Sequence, residues 1–551
     1  MNPNKYLAFS PVNKVDRKWP NKQIKKAPIW CSVDLRDGNQ SLEIPMTLEQ
    51  KIEFFDYLVK IGFKEIEIGF PAASNTEYEF ARYLIENNKI PNDVTIQVLT
   101  QAREHIIRRT FEALSGAKKA IVHLYNSTST LQRQVVFQNS KEATIKLALE
   151  GAKLLKDLST EYGEDRFSFE YSPESFTGTE LDFAVDICNA VIEELGPTEE
   201  KKLIINLPST VEMSMPNVYA DQIEYMCENL NKRNSLIISL HTHNDRGTGI
   251  AASEMGLLAG ADRIEGTLFG NGERTGNADI MNLALNMYSQ GIKTNLDFSN
   301  IDKAIEIYEK TTNIFVHPRH PYAGSLVYTA FSGSHQDAIN KGMAKMREDS
   351  SIWAVPYLPI NPMDVGRSYD PIIRINSQSG KGGVAFLLEQ NFGLQIPKPM
   401  QQNFGNIVTK ESDFNHKELN AKEIYDLFID VYNRIAPIKL VNFAEEISNE
   451  VKDESIVSAK IICNDEEKII KGKGNGVVEA FCNALIELTG KSFQVKDYRE
   501  HSLAVGSKAK AITYIEITNE KNESYFGIGI SSNITKSSLR AVVSGLNSFI
   551  I

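Results

Sequence analysis

Between Pro28 and about Gln290, eight short apolar runs alternate with longer segments in which apolar residues recur at three and four positions. The runs cover 29–34, 65–69, 95–99, 120–125, 167–171, 203–207, 236–241 and 263–268, and segments such as 48–61 and 140–158 carry the helical period. Strand and helix in strict succession predict parallel pairing, because each helix serves as the crossover between neighbouring strands. Eight such units over roughly 250 residues are the dimensions of a TIM (β/α)8 barrel. A doubly wound open sheet shares the alternation, but it would not bring the ends of the first, seventh and eighth strands together.

The rest of the chain needs further domains, since 551 residues exceed one ordinary core. Beyond Gly291 helices are broken by clusters such as His317-Pro-Arg-His-Pro321 and Gly380-Lys-Gly-Gly383. Strands return at 457–463, 511–518 and 525–530, with helices at 477–488 and 535–549, which predicts a terminal α+β domain. The expected organisation is an N-terminal arm (1–27), a barrel (28–324), helical linker subdomains (325–425) and the terminal domain (426–551). A net charge of −11 argues against a nucleic-acid partner. No apolar stretch approaches the roughly 18 to 20 residues of a membrane span. Five scattered cysteines without a CxxC pair fit a reducing compartment. The basic, proline-broken first thirty residues lack the apolar core of a signal peptide, so a cytoplasmic location is expected.

Polar strings begin where the strands end, and the C-terminal rim of such a barrel is where active sites sit. After the seventh run comes His241-Thr-His243-Asn-Asp; residues two apart on a strand point the same way, so the two imidazoles can converge on one ion. Asp34-Leu-Arg-Asp37-Gly-Asn-Gln40 follows the first run and Gly270-Asn-Gly-Glu-Arg-Thr-Gly-Asn277 the eighth. Two imidazoles, the Asp37 carboxylate and the Asn277 amide oxygen form a mixed set suited to Zn, Mn or Mg with positions left for substrate oxygens. Arg36 can reach an oxygen of a metal-bound substrate or close a salt bridge across the rim. The Gly270–Gly276 spacing matches neither dinucleotide nor phosphate-loop fingerprints and reads as a tight loop turning Asn277 inward. His335 and Tyr369 lie outside the barrel in polar, Gly-bearing segments that read as surface or capping. Gly472-Lys-Gly-Asn-Gly476 opens a helix, where free backbone N–H groups can receive an anion, or forms a plain flexible turn.

These strings resemble 2-isopropylmalate synthases of the long form with a C-terminal leucine-sensing domain. The resemblance extends through Tyr171-Ser-Pro-Glu-Ser-Phe-Thr-Gly-Thr-Glu180, Asn376-Ser-Gln-Ser-Gly-Lys-Gly-Gly383 and Ser538-Leu-Arg-Ala-Val-Val-Ser544. It implies an acyltransferase that condenses acetyl-CoA with 3-methyl-2-oxobutanoate and hydrolyses the thioester, the first committed step of leucine biosynthesis. It implies Asp37, His241, His243 and Asn277 as ligands of a divalent metal (Zn, Mg or Mn), with a monovalent cation such as K+ as a further expectation. It places Arg36 at the developing alkoxide and His123, Ser172, Glu174 and Thr210 around the keto acid. Glu174 and His335 are the implied proton movers, with Tyr369 nearby. The family lends its linker subdomain across a homodimer, so His335 would serve the neighbouring barrel. Gly474, Gly476, Tyr498, Ser502 and Ala509 match positions around the leucine pocket. Rival expectations are citramalate synthase on pyruvate, homocitrate synthase on 2-oxoglutarate, and a catalytically silent amino-acid sensor that has lost a ligand or Arg36.

Overall fold

The computed structural model describes residues 9–330, 332–348, 352–369, 381–415, 419–447, 454–503 and 509–550. Eight parallel strands close into a barrel in sequence order. They are β1 (Ile29–Ser32), β2 (Glu65–Gly69), β3 (Thr95–Gln101), β4 (Ala120–Ser127), β5 (Phe167–Glu174), β6 (Leu203–Ser209), β7 (Leu236–Thr242) and β8 (Arg263–Gly266). Closure is made by β8 pairing with β1, Ile29 opposite Arg263 and Ser32 opposite Gly266. A helix follows each strand, from Leu48–Ile61 after β1 to Ile280–Tyr288 after β8.

Local chemistry starts and stops these helices. Thr47 and Gln50 form a reciprocal capping box at the start of Leu48–Ile61, and Gly62 ends that helix in the left-handed region. Ser74, Ser140 and Asp279 cap later helices with their side chains. The inner faces of the helices supply fully buried Phe54, Phe55, Phe80, Phe111 and Phe183 to the layer between helix ring and barrel.

Strands β3 to β7 run one to three residues beyond their expected C-terminal ends, and two strands stop short of theirs. β1 stops at Ser32 because Asp34–Gly38 winds into a single π-helical turn, and β8 stops at Gly266 before a 3-10 turn at Leu268–Gly270. Both departures lie at the C-terminal rim.

The N-terminal arm is strapped to the helix Pro216–Asn229. Arg17 pairs with Asp221 through both carboxylate oxygens at 2.7 to 2.9 Å, and the Trp19 indole donates to the same carboxylate at 2.9 Å. Asp221→Ala removes all of these acceptors, so trypsin should cut after Arg17 and Lys18 much faster in that variant. Unchanged cleavage kinetics would mean that the strap is not what holds the arm.

The chain divides into two compact units, one of residues up to Tyr328 with Ile360–Ser368, the other of Thr329–Pro359 with Tyr369–Ile551. The second unit holds the helices Gly333–Glu348, Lys381–Phe392, Lys398–Asn415 and Ala421–Tyr432. Two antiparallel three-stranded sheets follow. The first is β9 (Ile438–Ile447), β10 (Ser455–Cys463) and β11 (Glu466–Gly474) with β10 central, followed by the helix Val477–Thr489. The second is β12 (Phe493–Ser502), β13 (Ala511–Asn519) and β14 (Ser524–Ser531) with β13 central, followed by the helix Ile534–Ile550. The two halves thus repeat one three-strand-and-helix plan, and they share a core that includes Val457, Phe481, Ile515 and Val542.

This arrangement corrects the reading of Gly472–Gly476. Gly472 and Gly474 belong to β11, and only Gly476 caps the helix. A Cβ on Gly474 would lie 2.6 Å from the Ala480 nitrogen, and one on Gly529 of β14 would lie 2.0 Å from the Ser537 oxygen. The glycines let each helix sit directly on its strand. The Asn376–Gly380 part of the string ending at Gly383 lies outside the described residues.

Candidate active site at the barrel mouth

His241 is the penultimate residue of β7 and His243 follows its end, so both imidazoles face the barrel axis. Thr242 points the other way, its hydroxyl bonded to Ser253 at 2.7 Å. Arg36 and Asp37 ride on the π turn after β1. That turn is braced from below by the buried Lys51, whose ammonium donates to the Leu35 carbonyl at 2.9 Å. Asn277 arrives through the glycine loop, as expected. At Gly276 φ is +93° and a Cβ would fall 1.8 Å from the Gly270 oxygen, so only glycine closes this loop. The closed loop pairs Asn277 with His243 by a backbone bridge, and the Asn277 amide donates to Asp37 Oδ2 at 2.7 Å.

One ligand atom from each of Asp37, His241 and His243 lies within 4.8 Å of the others. Asp37 Oδ2 is 3.7 Å from His241 Nε2 and 3.8 Å from His243 Nε2. A divalent ion bound at about 2.0 to 2.2 Å holds its ligand atoms about 3 to 3.5 Å apart, so this triangle is close to the size required. Asn277 Oδ1 is buried with no hydrogen-bond partner, which supplies a fourth donor. Two imidazoles, one carboxylate and one amide fit a divalent cation.

Burial alone would lower the His241 pKa, but the Asp37 and Glu265 carboxylates beside it hold it up at about 9. Burial and the His241 charge push His243 down to about 4. Burial opposes ionisation of Asp37, yet Arg36 and the histidines keep its carboxyl well below the usual range. Ion-free protein at neutral pH therefore carries a proton on His241 that an incoming ion must displace. Divalent-ion affinity is expected to rise about tenfold per pH unit between roughly pH 5 and 8 and to level off above about 9. Calorimetry in buffers of different ionisation enthalpy should find about one proton released per ion. A pH-independent affinity would contradict these charge states.

Beside these four residues opens a cavity of about 340 Å³. Arg36, Asp37, His123, Ser172, Glu174, Thr210, His241 and His243 all line it, together with Leu99, Tyr125, Asn206 and Pro208. Arg36 is clamped by Asp37 and Glu67, each at 2.5 Å, so its guanidinium is fixed at the cavity wall. The salt bridge expected of Arg36 is therefore formed, reaching from the turn after β1 to Glu67 on β2. His123 Nε2 meets Ser172 Oγ at 2.7 Å while Nδ1 meets Glu67 at 2.8 Å. Glu174 accepts from Ser127, from Gln132 at 3.3 Å and from Ser175 at 3.1 Å. The Thr210 hydroxyl accepts from the Ser175 N–H at 3.0 Å.

Residues 27–307 match the HMGL-like family, 325–389 the "Alpha-isopropylmalate synthase, post-catalytic domain-like" family and 418–550 the "LeuA allosteric (dimerisation) domain". A 2-isopropylmalate synthase of Acetoanaerobium sticklandii is 61% identical over 552 residues, covering 100% of this chain and 97% of that one. The chain belongs to the 2-isopropylmalate synthase family. Other members match as fully: that of Clostridium acetobutylicum is 56% identical, covering 99% of each chain, and that of Rhizobium johnstonii 55% identical, covering 98% and 97%. The chain is thus an acyltransferase-class enzyme with a TIM barrel and an allosteric domain. Among the described residues no helix is long and apolar enough to cross a membrane.

Beneath the mouth of this synthase-family barrel lies a polar network that the sequence reading missed. Glu67, Gln97, Glu170, Asn206, Arg263 and Glu265 are all buried inside strands. Apart from Arg263, which follows Asp262, they stand between apolar residues or glycine, as in Ile66-Glu67-Ile68, Phe169-Glu170-Tyr171 and Ile264-Glu265-Gly266. In a barrel interior usually filled by branched aliphatics, that alternation was the available signal. Burial and the neighbouring Glu265 raise the Glu170 pKa well above normal, whereas Arg263, against the effect of burial, keeps Glu265 well below it.

The remaining expected residues belong to the second unit. His335 is exposed on the helix Gly333–Glu348, its ring centroid 4.1 Å from that of Tyr357. Tyr369 is half-buried, and burial raises its pKa. In the allosteric domain of this family member, Gly476 and Tyr498 line a cavity of about 740 Å³ together with Val477, Cys482, Phe493, Ile534 and Ser538. Gly474, Ser502 and Ala509 are not part of that lining.

Proposed function

We propose that the chain joins the acetyl group of acetyl-CoA to the ketone carbon of 3-methyl-2-oxobutanoate and hydrolyses the thioester. The products are 2-isopropylmalate and CoA, the first committed step of leucine biosynthesis, in the cytoplasm. The observation that carries this reading is the convergence of Asp37, His241 and His243 beside a clamped Arg36, in a chain that matches synthases over its full length.

Asp37, His241, His243 and Asn277 hold a divalent ion, Zn, Mg or Mn, with K+ as an accessory cation. When bound, that ion supplies Lewis-acid polarisation of the keto acid and a template for it. Arg36, always charged and held rigid by Glu67, stabilises the alkoxide that develops as the carbon–carbon bond forms. His123, Ser172, Glu174 and Thr210 enclose the keto acid, with His123 on β4 and Ser172 on β5 joined by a hydrogen bond. Glu174 and His335 move protons, with Tyr369 nearby. His335 acts on the barrel of a second copy, which makes the homodimer the catalytic unit. Leucine occupies the allosteric domain near Gly474, Gly476, Tyr498, Ser502 and Ala509, and it inhibits by favouring a less active state through differential contacts.

Incubation with acetyl-CoA and 3-methyl-2-oxobutanoate should yield one 2-isopropylmalate per CoA released, at a rate that leucine lowers. CoA release without that product would reduce the activity to thioester hydrolysis, and insensitivity to leucine would remove the regulatory assignment.

A further inference from the structure

The two histidines at the barrel mouth are held differently. His241 Nδ1 lies 2.9 Å from Glu265 Oε2, directly across the β7–β8 pairing that sets His241 opposite Glu265. His243 Nδ1 is buried with no hydrogen-bond partner. Glu265 is itself immobilised. Its Oε1 accepts from Arg263 at 2.8 Å and Gln97 at 2.9 Å, and Oε2 accepts from Asn206 at 3.2 Å. Arg263, fully buried, is anchored in turn by Glu65 at 2.6 Å, Ser239 at 2.8 Å and Gln97 at 2.7 Å. A carboxylate that accepts the Nδ1 proton of an imidazole fixes its tautomer, orients the ring and raises the basicity of Nε2. Here Nε2 is the atom turned toward Asp37.

We propose that Glu265 is the positioning residue of the ion site: pinned by Arg263 on one oxygen, it holds His241 as the pre-oriented ligand, while His243 is the weaker and more adjustable one. The barrel floor thereby becomes part of the metal site. This rests on the reading of Asp37, His241 and His243 as ion ligands.

The test uses Co2+ as probe on the full-length, chelator-treated protein. Glu265→Gln, which keeps volume and shape, should weaken Co2+ binding about 10- to 100-fold while circular dichroism of the folded protein is unchanged. A merely structural role would instead lower the melting temperature and leave Co2+ affinity of the folded protein as in the wild type, and that result would overturn the proposal. A comparison that leaves Glu265 in place decides the matter even where Glu265→Gln does not fold. His241→Asn should weaken Co2+ binding about tenfold or more beyond His243→Asn. Equal losses in the two variants would refute the positioning role and leave the ligand assignment standing. Wild-type affinity in both would defeat the ligand assignment as well.

Discussion

Asp37→Asn is expected to lower kcat/KM for CoA release by about a thousandfold or more, with divalent-ion affinity falling in parallel. The substitution is nearly isosteric, so the loss reports charge rather than packing. Asp37 is the single anionic member of the proposed ligand set, and it also holds Arg36 at 2.5 Å. Lewis-acid stabilisation of a developing oxyanion contributes several kcal/mol, and about 4 kcal/mol corresponds to a factor of about 10³ in rate. The neutral amide also removes one of the two carboxylate attractions that hold up the His241 pKa, which should fall while Glu265 still supports it. Steady-state thiol release at saturating Mg2+, Mn2+ or Zn2+ measures the first effect. Wild-type kcat/KM in this variant would remove Asp37 from the site.

Arg263→Met should be the most destabilising single change in the barrel. Arg263 is fully buried and faces Glu65, Glu170 and Glu265, the last two also fully buried. Removing one partner of a buried ionic cluster leaves its carboxylates uncompensated, which costs roughly 3 to 5 kcal/mol. The pH dependence has a definite sign. In the wild type the Arg263 guanidinium, overcoming burial, depresses the Glu265 pKa, and that contribution is present above the ordinary carboxylate range and lost as pH falls through the depressed value. The variant's deficit should therefore be fully developed above about pH 5 and shrink below about pH 4. Denaturant midpoints across that range measure it. A deficit that grows on acidification would contradict the charge assignment of the cluster.

The difference between what the chain disclosed and what it concealed follows from where its polar residues sit. The barrel was legible because largely apolar runs alternate with segments of helical period, and the strings that carry Asp37, His241, His243 and Asn277 because they lie where strands end. Glu67, Glu170 and Glu265 were hidden by the same apolar neighbours, since each interrupts a run by only one residue. In the second unit the central strands β10 and β13 were read directly. Edge strands β9, β11 and β12 were not, because sequences such as Phe493-Gln-Val-Lys-Asp-Tyr-Arg-Glu-His-Ser502 carry the charges that edges use to avoid further pairing. The Gly472–Gly476 string misled for another reason. Glycine serves both turns and close helix–strand contact, and only the packing of Ala480 and Ala484 against β11 distinguishes the two.

The cavity proposed for the keto acid combines Leu99, Tyr125 and Pro208 with His123 and Ser172. The Ser172 hydroxyl is already engaged by His123 at 2.7 Å and by Asn206 at 3.0 Å, and the arginine beside it is clamped by carboxylates. Such a wall suits an apolar side chain better than a second carboxylate. The decisive measurement is CoA thiol release from acetyl-CoA with 3-methyl-2-oxobutanoate, pyruvate and 2-oxoglutarate in parallel, on chelated protein before and after divalent-ion add-back. The account predicts no release before add-back and clear preference for 3-methyl-2-oxobutanoate after it. Preference for pyruvate or 2-oxoglutarate, or full turnover without an ion, would contradict it.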